Sequence, residues 1–363
     1  MRITIRAAAV AASALLLAAS AASAQATATW YIGTYTNDIL VWDEASEDVV
    51  DRIAMKNFFP IGVTVNETKT RLYVEDASMQ RIEIVDLATN EAVDEFTLSH
   101  DSVTVRFEGS AFHPDDTKAV FLVKRTTKLS DRFLVEGPFL LEYDLRSKQV
   151  TDTIPFPGGE SRDAVGFMYS PDGSTLYMFA DDIIAVDAET YEEIDRWEIS
   201  KPLEPGLGSL NFGVASGTYD EPGVATNLIR MRDPVQNRTL MGVARVRLDE
   251  KEVDFFMLGP SEPVSGGRGF ALAPGGQKAY GLYSTVGRYE FWEFDLVNQR
   301  VARKVPFAGR PRMGLRVSAD GEKLYVFVAG NTIDVYDADT FELTHTVTFD
   351  EDMTGTAVIA GGR

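Results

Sequence analysis

Beyond Gln25 the chain is a succession of short apolar runs of strand length, each closed by turn residues. One stretch shows the pattern whole. An apolar run opens at Gly166, and Pro171-Asp172-Gly173 turns the chain. A second run passes through Leu176 and Tyr177, a third ends Val186-Asp187, and an Asp187-x-x-Thr190 connection leads into Ile194 to Trp197. Runs of this length with alternating or fully apolar character predict strands. Asp, Gly and Thr at the joints favour tight turns. The stretch therefore predicts one four-stranded antiparallel meander.

The meander recurs. Its second strand returns as Leu72-Tyr73-Val74, Ala119-Val120-Phe121, Ala279-Tyr280-Gly281 and Leu324-Tyr325-Val326. The end of its third returns as Trp42-Asp43, Val85-Asp86, Tyr143-Asp144, Phe294-Asp295 and Tyr336-Asp337, with Arg247 standing where an Asp is expected in Arg245-Val246-Arg247-Leu248. The first strand opens on Gly62, Gly109, Gly166, Gly213, Gly269, Gly314 and Gly355, at intervals of 47, 57, 47, 56, 45 and 41 residues. A four-stranded unit at such a period is the signature of a propeller. Glycine suits an inner strand, where backbones converge and a Cβ would crowd. The expectation is an all-β, seven-bladed β-propeller. The chain begins at a second-type strand, Trp30-Tyr31-Ile32-Gly33, and ends on a lone first-type strand, Gly355 to Ile359. The C-terminal strand is thus expected to complete the first blade, which leaves no open sheet edge.

The first residues read differently. Arg2 and Arg6, the apolar stretch Ala7–Ala19 and Ala22-Ser23-Ala24 form the three parts of a secretory signal, cleaved near Ala24. The expected domains are a signal segment over 1–24 and one propeller over 25–363. The product is expected in the periplasm or secreted, without a membrane span. Composition sharpens this. The 363 residues hold no Cys, and 55 acids against 35 Lys and Arg give a net charge of −20. Thiol catalysis, disulfides, zinc–thiolate and iron–sulfur sites and attached c-type haem are excluded, and the acidic balance argues against nucleic acid as a partner.

Candidate chemistry lies where the repeat is decorated. Blade three carries an insertion at Lys124–Pro138 and blade five one at Met231–Arg238, both between second and third strands. The Ser200–Asn211 link is also long. All three belong to one end of a propeller, which is the expected binding face. Arg106, Arg162, Arg268, Arg310, Arg312 and Arg316 fall just before or within the inner strands near that end. In so acidic a chain they could focus an anion or a partner's carboxylates, or simply pair with Glu108, Glu160 and Asp163. His100 lies in a link at the same end, while His113 and His345 occupy other kinds of position, so a three-histidine metal centre is not expected. The repeated aspartates read as turn residues, and Asp337-Ala338-Asp339 is too short for a calcium loop. No metal site, phosphate loop, nucleophile elbow or catalytic set is expected on this chain.

The Pro-Asp-Gly turns, the blade-three insertion ending Phe139-Leu-Leu-Glu-Tyr143-Asp144, the long fifth blade and the run Tyr325–Leu343 carry a resemblance over nearly all of the chain after the signal. The chain resembles exported Tyr-Val-Thr-Asn type propellers, most narrowly the β subunit of quinohemoprotein amine dehydrogenase. That resemblance implies an assembly oxidising primary amines. The propeller is its non-catalytic platform, and haem and a quinone are carried by partner subunits, with no cofactor on this chain. The alternative is a stand-alone binding or scaffold propeller for a small anion, a peptide or an envelope protein.

Overall fold

The computed structural model describes residues 27–56, 59–66, 68–159, 161–202, 208, 210–211, 223–265, 269–311, 313–328 and 330–360. The expected signal segment, Gly213, Arg268 and Arg312 lie outside the described residues, as does much of the Ser200–Asn211 link.

The described chain is all β apart from one 3-10 turn at Pro157–Gly159. The strands are β1 (Ala28–Thr34), β2 (Asp38–Asp43), β3 (Asp48–Ala54), β4 (Pro60–Val65), β5 (Arg71–Asp76), β6 (Arg81–Asp86) and β7 (Glu91–Thr97). They continue as β8 (Val103–Phe112), β9 (Lys118–Lys128), β10 (Phe133–Asp144), β11 (Gln149–Ile154), β12 (Gly166–Tyr169), β13 (Thr175–Phe179), β14 (Ile183–Asp187) and β15 (Glu193–Trp197). Next come β16 (Leu210–Asn211), β17 (Val224–Asp233), β18 (Arg238–Arg247), β19 (Glu252–Pro260), β20 (Phe270–Leu272), β21 (Lys278–Thr285), β22 (Arg288–Asp295) and β23 (Arg300–Phe307). The last are β24 (Gly314–Val317), β25 (Lys323–Phe327), β26 (Gly330–Asp337) and β27 (Leu343–Ala360).

These strands form blades of four antiparallel strands in a propeller. Five sheets stand alone: β4–β7, β8–β11, β12–β15, β16–β19 and β20–β23, here blades two to six. The count of seven separate blades is not what the sheets show. The remaining strands make one seven-stranded sheet, ordered β24-β25-β26-β27-β1-β2-β3. Its cause is β27, which pairs with β26 as far as Met353 and with β1 from Met353 to Ala360.

The third-to-fourth-strand turn is built by its aspartate. Asp187 Oδ1 accepts the backbone N–H groups of Glu189 and Thr190 at 3.0 and 2.8 Å, and Asp337 Oδ1 those of Asp339 and Thr340 at 3.0 and 2.7 Å. Four residues past the Asp slot the backbone turns left-handed. Glu47, Asn90, Lys148, Tyr191, Lys251, Gln299 and Phe341 have φ between 54 and 60°. Few are glycine or asparagine, so turn geometry and not residue preference sets the conformation.

Six of the seven expected glycine starts are described, and all fall on or immediately before inner strands. Their reason is visible at two of them. A Cβ on Gly355 would stand 2.7 Å from the Ile61 carbonyl oxygen, and one on Gly109 3.2 Å from that of Val165, each on or just before the next inner strand. Between blades the core is apolar, as in the cluster of Ile183, Ile229, Ala244, Val246 and Leu248 between blades four and five. Trp30, Trp42 and Tyr325 pack edge to face at 5.0–5.7 Å inside the seven-stranded sheet.

Candidate functional site

Second-to-third-strand connections and links between blades share one end of the propeller. Blade three rises farthest there. Its insertion is a continuation of strands and not a loop: β9 and β10 stay paired from Phe133↔Lys128 onward, with the turn closed by Leu129 N–H on the Arg132 carbonyl at 2.8 Å. β8 extends beside them, Val103 pairing with Thr127. On its other side β10 meets β11 only over Leu140–Asp144, so the Phe133–Glu136 edge has no strand partner among the described residues. That edge is apolar: Phe133 and Val135 are each 67% exposed, and Leu134 is 45% exposed. Arg125 Nε donates to Glu136 Oε2 at 3.1 Å across the ribbon, and its guanidinium lies over Phe139.

Blade five does the same on a smaller scale. β17 and β18 pair to Asp233↔Arg238, and the Asp233 carboxylate accepts the Val235 and Gln236 N–H groups at 3.0 Å. Exposed Val235 tips this hairpin, Val286 tips that of blade six, and Tyr35 lies at the same end between β1 and β2. Other exposed apolar residues, Val49, Val50, Val93, Val150, Ile194 and Leu343, lie on outermost strands, where single exposures are ordinary.

Those sequence-predicted residues that are described fall at the ribbon end, but on different blades. Arg106 is exposed on β8, and its Nη2 lies 3.1 Å from Met79 Sδ. Arg162 pairs with Asp181. Arg310 donates to Thr332 Oγ1 at 3.1 Å and stands 3.6 Å from Asp334. Asp163 is taken by Lys124 at 3.0 Å. Arg316 reaches the Leu315 carbonyl and lies over Phe327. His100, exposed, forms a one-residue bridge with Val103. The other histidines are well apart. His113 Nδ1 contacts Asp115 and its Nε2 the Gly173 carbonyl of the next blade at 3.0 Å, whereas His345 meets Glu47.

The structure adds Glu75, which the sequence reading passed over. It stands one residue before the end of β5, opposite Gly62 on the inner strand, and a Cβ at Gly62 would come within 3.0 Å of Glu75 Oε2. Burial pushes its carboxyl up to about 7; Asp76 and Glu108 add to the shift and Arg106 opposes it. The signal was available. In other blades the corresponding residue, opposite the glycine, is Leu122, Phe179 or Phe327.

Among the described residues no group of three or more His, Asp or Glu is arranged to hold a metal, and no helix is long and apolar enough to cross a membrane. No family model matches the chain. No curated protein matches it in sequence. Solved structures do match. The dihydro-heme d1 dehydrogenase NirN in complex with DHE is 12% identical with a TM-score of 0.54, over 92% of this chain and 75% of that one. Apo AztD from Citrobacter koseri is 14% identical with a TM-score of 0.52, over 93% and 99%. A functionally unknown protein from Desulfotomaculum acetoxidans is 13% identical with a TM-score of 0.54, over 92% and 98%. At these identities the likeness shows the fold alone, a β-propeller.

Proposed function

We propose that the protein is an exported propeller whose work is to dock a partner protein, and that it carries no reaction centre of its own. The carrying observation is the blade-three ribbon, with an open strand edge bearing Phe133, Leu134 and Val135 in succession. Proteins usually blunt such an edge with charge or Pro because it recruits foreign strands. Here the most prominent edge is left apolar, which suits strand addition from a partner. Valines at two neighbouring hairpin tips extend the same face.

In this reading there are seven blades. The seven left-handed turn residues support that count, and so does β27, whose two halves each complete a four-stranded set. The pairing of β27 with β1 closes the ring. Met1–Ala24 directs export. The partner is the quinone-bearing subunit of an assembly like quinohemoprotein amine dehydrogenase, with haem on a further subunit; the resemblance of the blade turns and of enlarged blades three and five supports this. Arg106, Arg162, Arg268, Arg310 and Arg312, with His100, would meet partner carboxylates on that face.

The test is to isolate the full chain from the periplasm of its source and read the visible spectrum. Co-purifying haem and quinone absorbance is the expected result, and Val135→Asp should release both. A colourless monomer would overturn the redox-subunit reading. Retention of the chromophores by Val135→Asp would move docking off the ribbon.

A further inference from the structure

The open edge of the blade-three ribbon has a hydrogen-bonding phase that its turn sets. Leu129 N–H donates to the Arg132 carbonyl at 2.8 Å, so Leu129 and Arg132 form a hydrogen-bonded pair. In an antiparallel ladder such pairs alternate with pairs whose N–H and C=O groups point away from each other. Lys128↔Phe133 and Thr126↔Val135 are therefore of the second kind. The other side of the ribbon agrees, since Lys128 turns its N–H away from β10 to the Ser102 carbonyl at 2.8 Å. Phe133 and Val135 thus direct their backbone groups outward, at an edge with no strand partner among the described residues. Pro138, which has no N–H, ends this stretch after Glu136 and Gly137.

The edge Arg132-Phe133-Leu134-Val135-Glu136 complements itself. With a second copy antiparallel to it and a two-fold axis at Leu134, Phe133 of each copy faces Val135 of the other. Their outward groups then exchange four hydrogen bonds. Leu134 meets Leu134 on the axis, and Arg132 meets Glu136 at both ends. These last pairs are of the closely spaced kind, where side chains make their best contact. Arg125 already donates to Glu136 at 3.1 Å from the far side, which sets the carboxylate between two guanidiniums. Arg132 is available for this, since its contact with Asp131 joins two neighbours whose side chains are 68% and 67% exposed. Neighbouring registers lose the match. A shift of one residue sets outward groups against inward ones, and a shift of two sets Leu134 against Arg132 or Glu136.

We propose that, until a partner protein arrives, the chain pairs with a second copy of itself through this edge. The β8, β9 and β10 strands of the two ribbons then form one six-stranded sheet. The inference rests on the same open edge as the docking reading, so an incoming strand must displace the second copy. Self-pairing keeps Phe133, Leu134 and Val135 from recruiting foreign strands in the meantime. The paired stretch is short, which places the dimer among weak, transient associations.

The test is analytical ultracentrifugation of the full chain alone, from micromolar concentration to about 1 mM. A monomer–dimer equilibrium is expected. Val135→Pro removes an N–H that β9 does not use, so the ribbon should persist while the dimer weakens by at least about tenfold. Should that variant disturb folding, the charge pair decides. Arg132→Glu and Glu136→Arg each set like charges together at both ends and should each weaken self-association by about tenfold or more. Mixed in equal amounts, these two variants should associate about as tightly as the parent, because each supplies the charges the other lacks. A parent that stays monomeric throughout would overturn the proposal, and would leave haem and quinone co-purification to decide the docking reading by itself. A dimer indifferent to all three substitutions, or charge variants that associate no better mixed than alone, would overturn it as well.

Discussion

Glu75 shows what one substituted slot does. Opposite its glycine, a side chain in other blades is apolar and fills the space toward the inner strand; Glu75 brings a carboxyl to the same place, near Asp76, Glu108 and Arg106. Unfolded, it releases its proton in the ordinary glutamate range, near pH 4.5. Folded, it holds the proton up to about 7. Between these values the folded state binds more protons, so its contribution favours folding below the unfolded value and is lost as pH rises through about 7. Glu75→Gln stays neutral throughout. The variant should match the parent near pH 4.5 and exceed it at pH 8 by at most about 3 kcal/mol, read by denaturant unfolding at both pH values. Equal stability of the two proteins at pH 8 would show that Glu75 is not held protonated. The same carboxyl makes the ribbon end of the axis more negative above pH 7 than below it.

At the scale of elements, the blades are stable disks and the ribbon is an appendage. Phe133, Leu134 and Val135 point into no core, while Leu140 and Tyr143 farther along the same strand are buried. Replacing residues 126–135 by an Asn-Gly turn keeps Arg125 opposite Glu136 and suits a two-residue hairpin. The melting temperature should move by no more than about 2 °C, the size of a change below 1 kcal/mol, while partner capture is lost. A large loss of stability would make the ribbon part of the fold instead of a docking element. Much of this level was legible in the sequence. The glycine starts and the Asp slots could be read because backbone approach and turn hydrogen bonds demand those residue types locally. The ribbon was foreseen only as an insertion, although Phe133-Leu134-Val135 and Thr126-Thr127 have strand-forming character. Glu75 stood out as a charged residue where other blades place an apolar one, but what the position does to its carboxyl depends on burial, which a sequence does not display. The seven-stranded sheet was hidden by Asp350-Glu351-Asp352, which reads as an acidic link. In the fold that segment is held straight: Glu351 pairs with Arg52 and Thr36, and the Tyr35 N–H donates to the Asp352 carbonyl at 3.1 Å.

For the whole molecule the seam is where β27 meets β1. Everywhere else in the described sheets, neighbouring strands follow one another in the chain; here a strand ending at Ala360 pairs with one beginning at Ala28. If the ring closes there, opening this seam frees the edge of β1, and the blades can then part in turn. The chain has no Cys, so a single engineered pair can interrogate the seam without side reactions. Ala28 and Ala360 stand directly opposite in the register. Ala28→Cys with Ala360→Cys should oxidise readily, because a disulfide needs Cα atoms within about 7 Å. Locking a loop of that length removes denatured-state entropy worth about 5 kcal/mol at most, and native strain reduces the gain. The oxidised double variant should therefore melt several degrees above its reduced form, and the two single-Cys variants should show no such difference. Failure of the thiols to join would mean the strands are not paired in solution. Joined thiols with no change in melting would mean that unfolding begins elsewhere in the ring. In either case the closing role of β27 would have to be given up as the determinant of the molecule's stability.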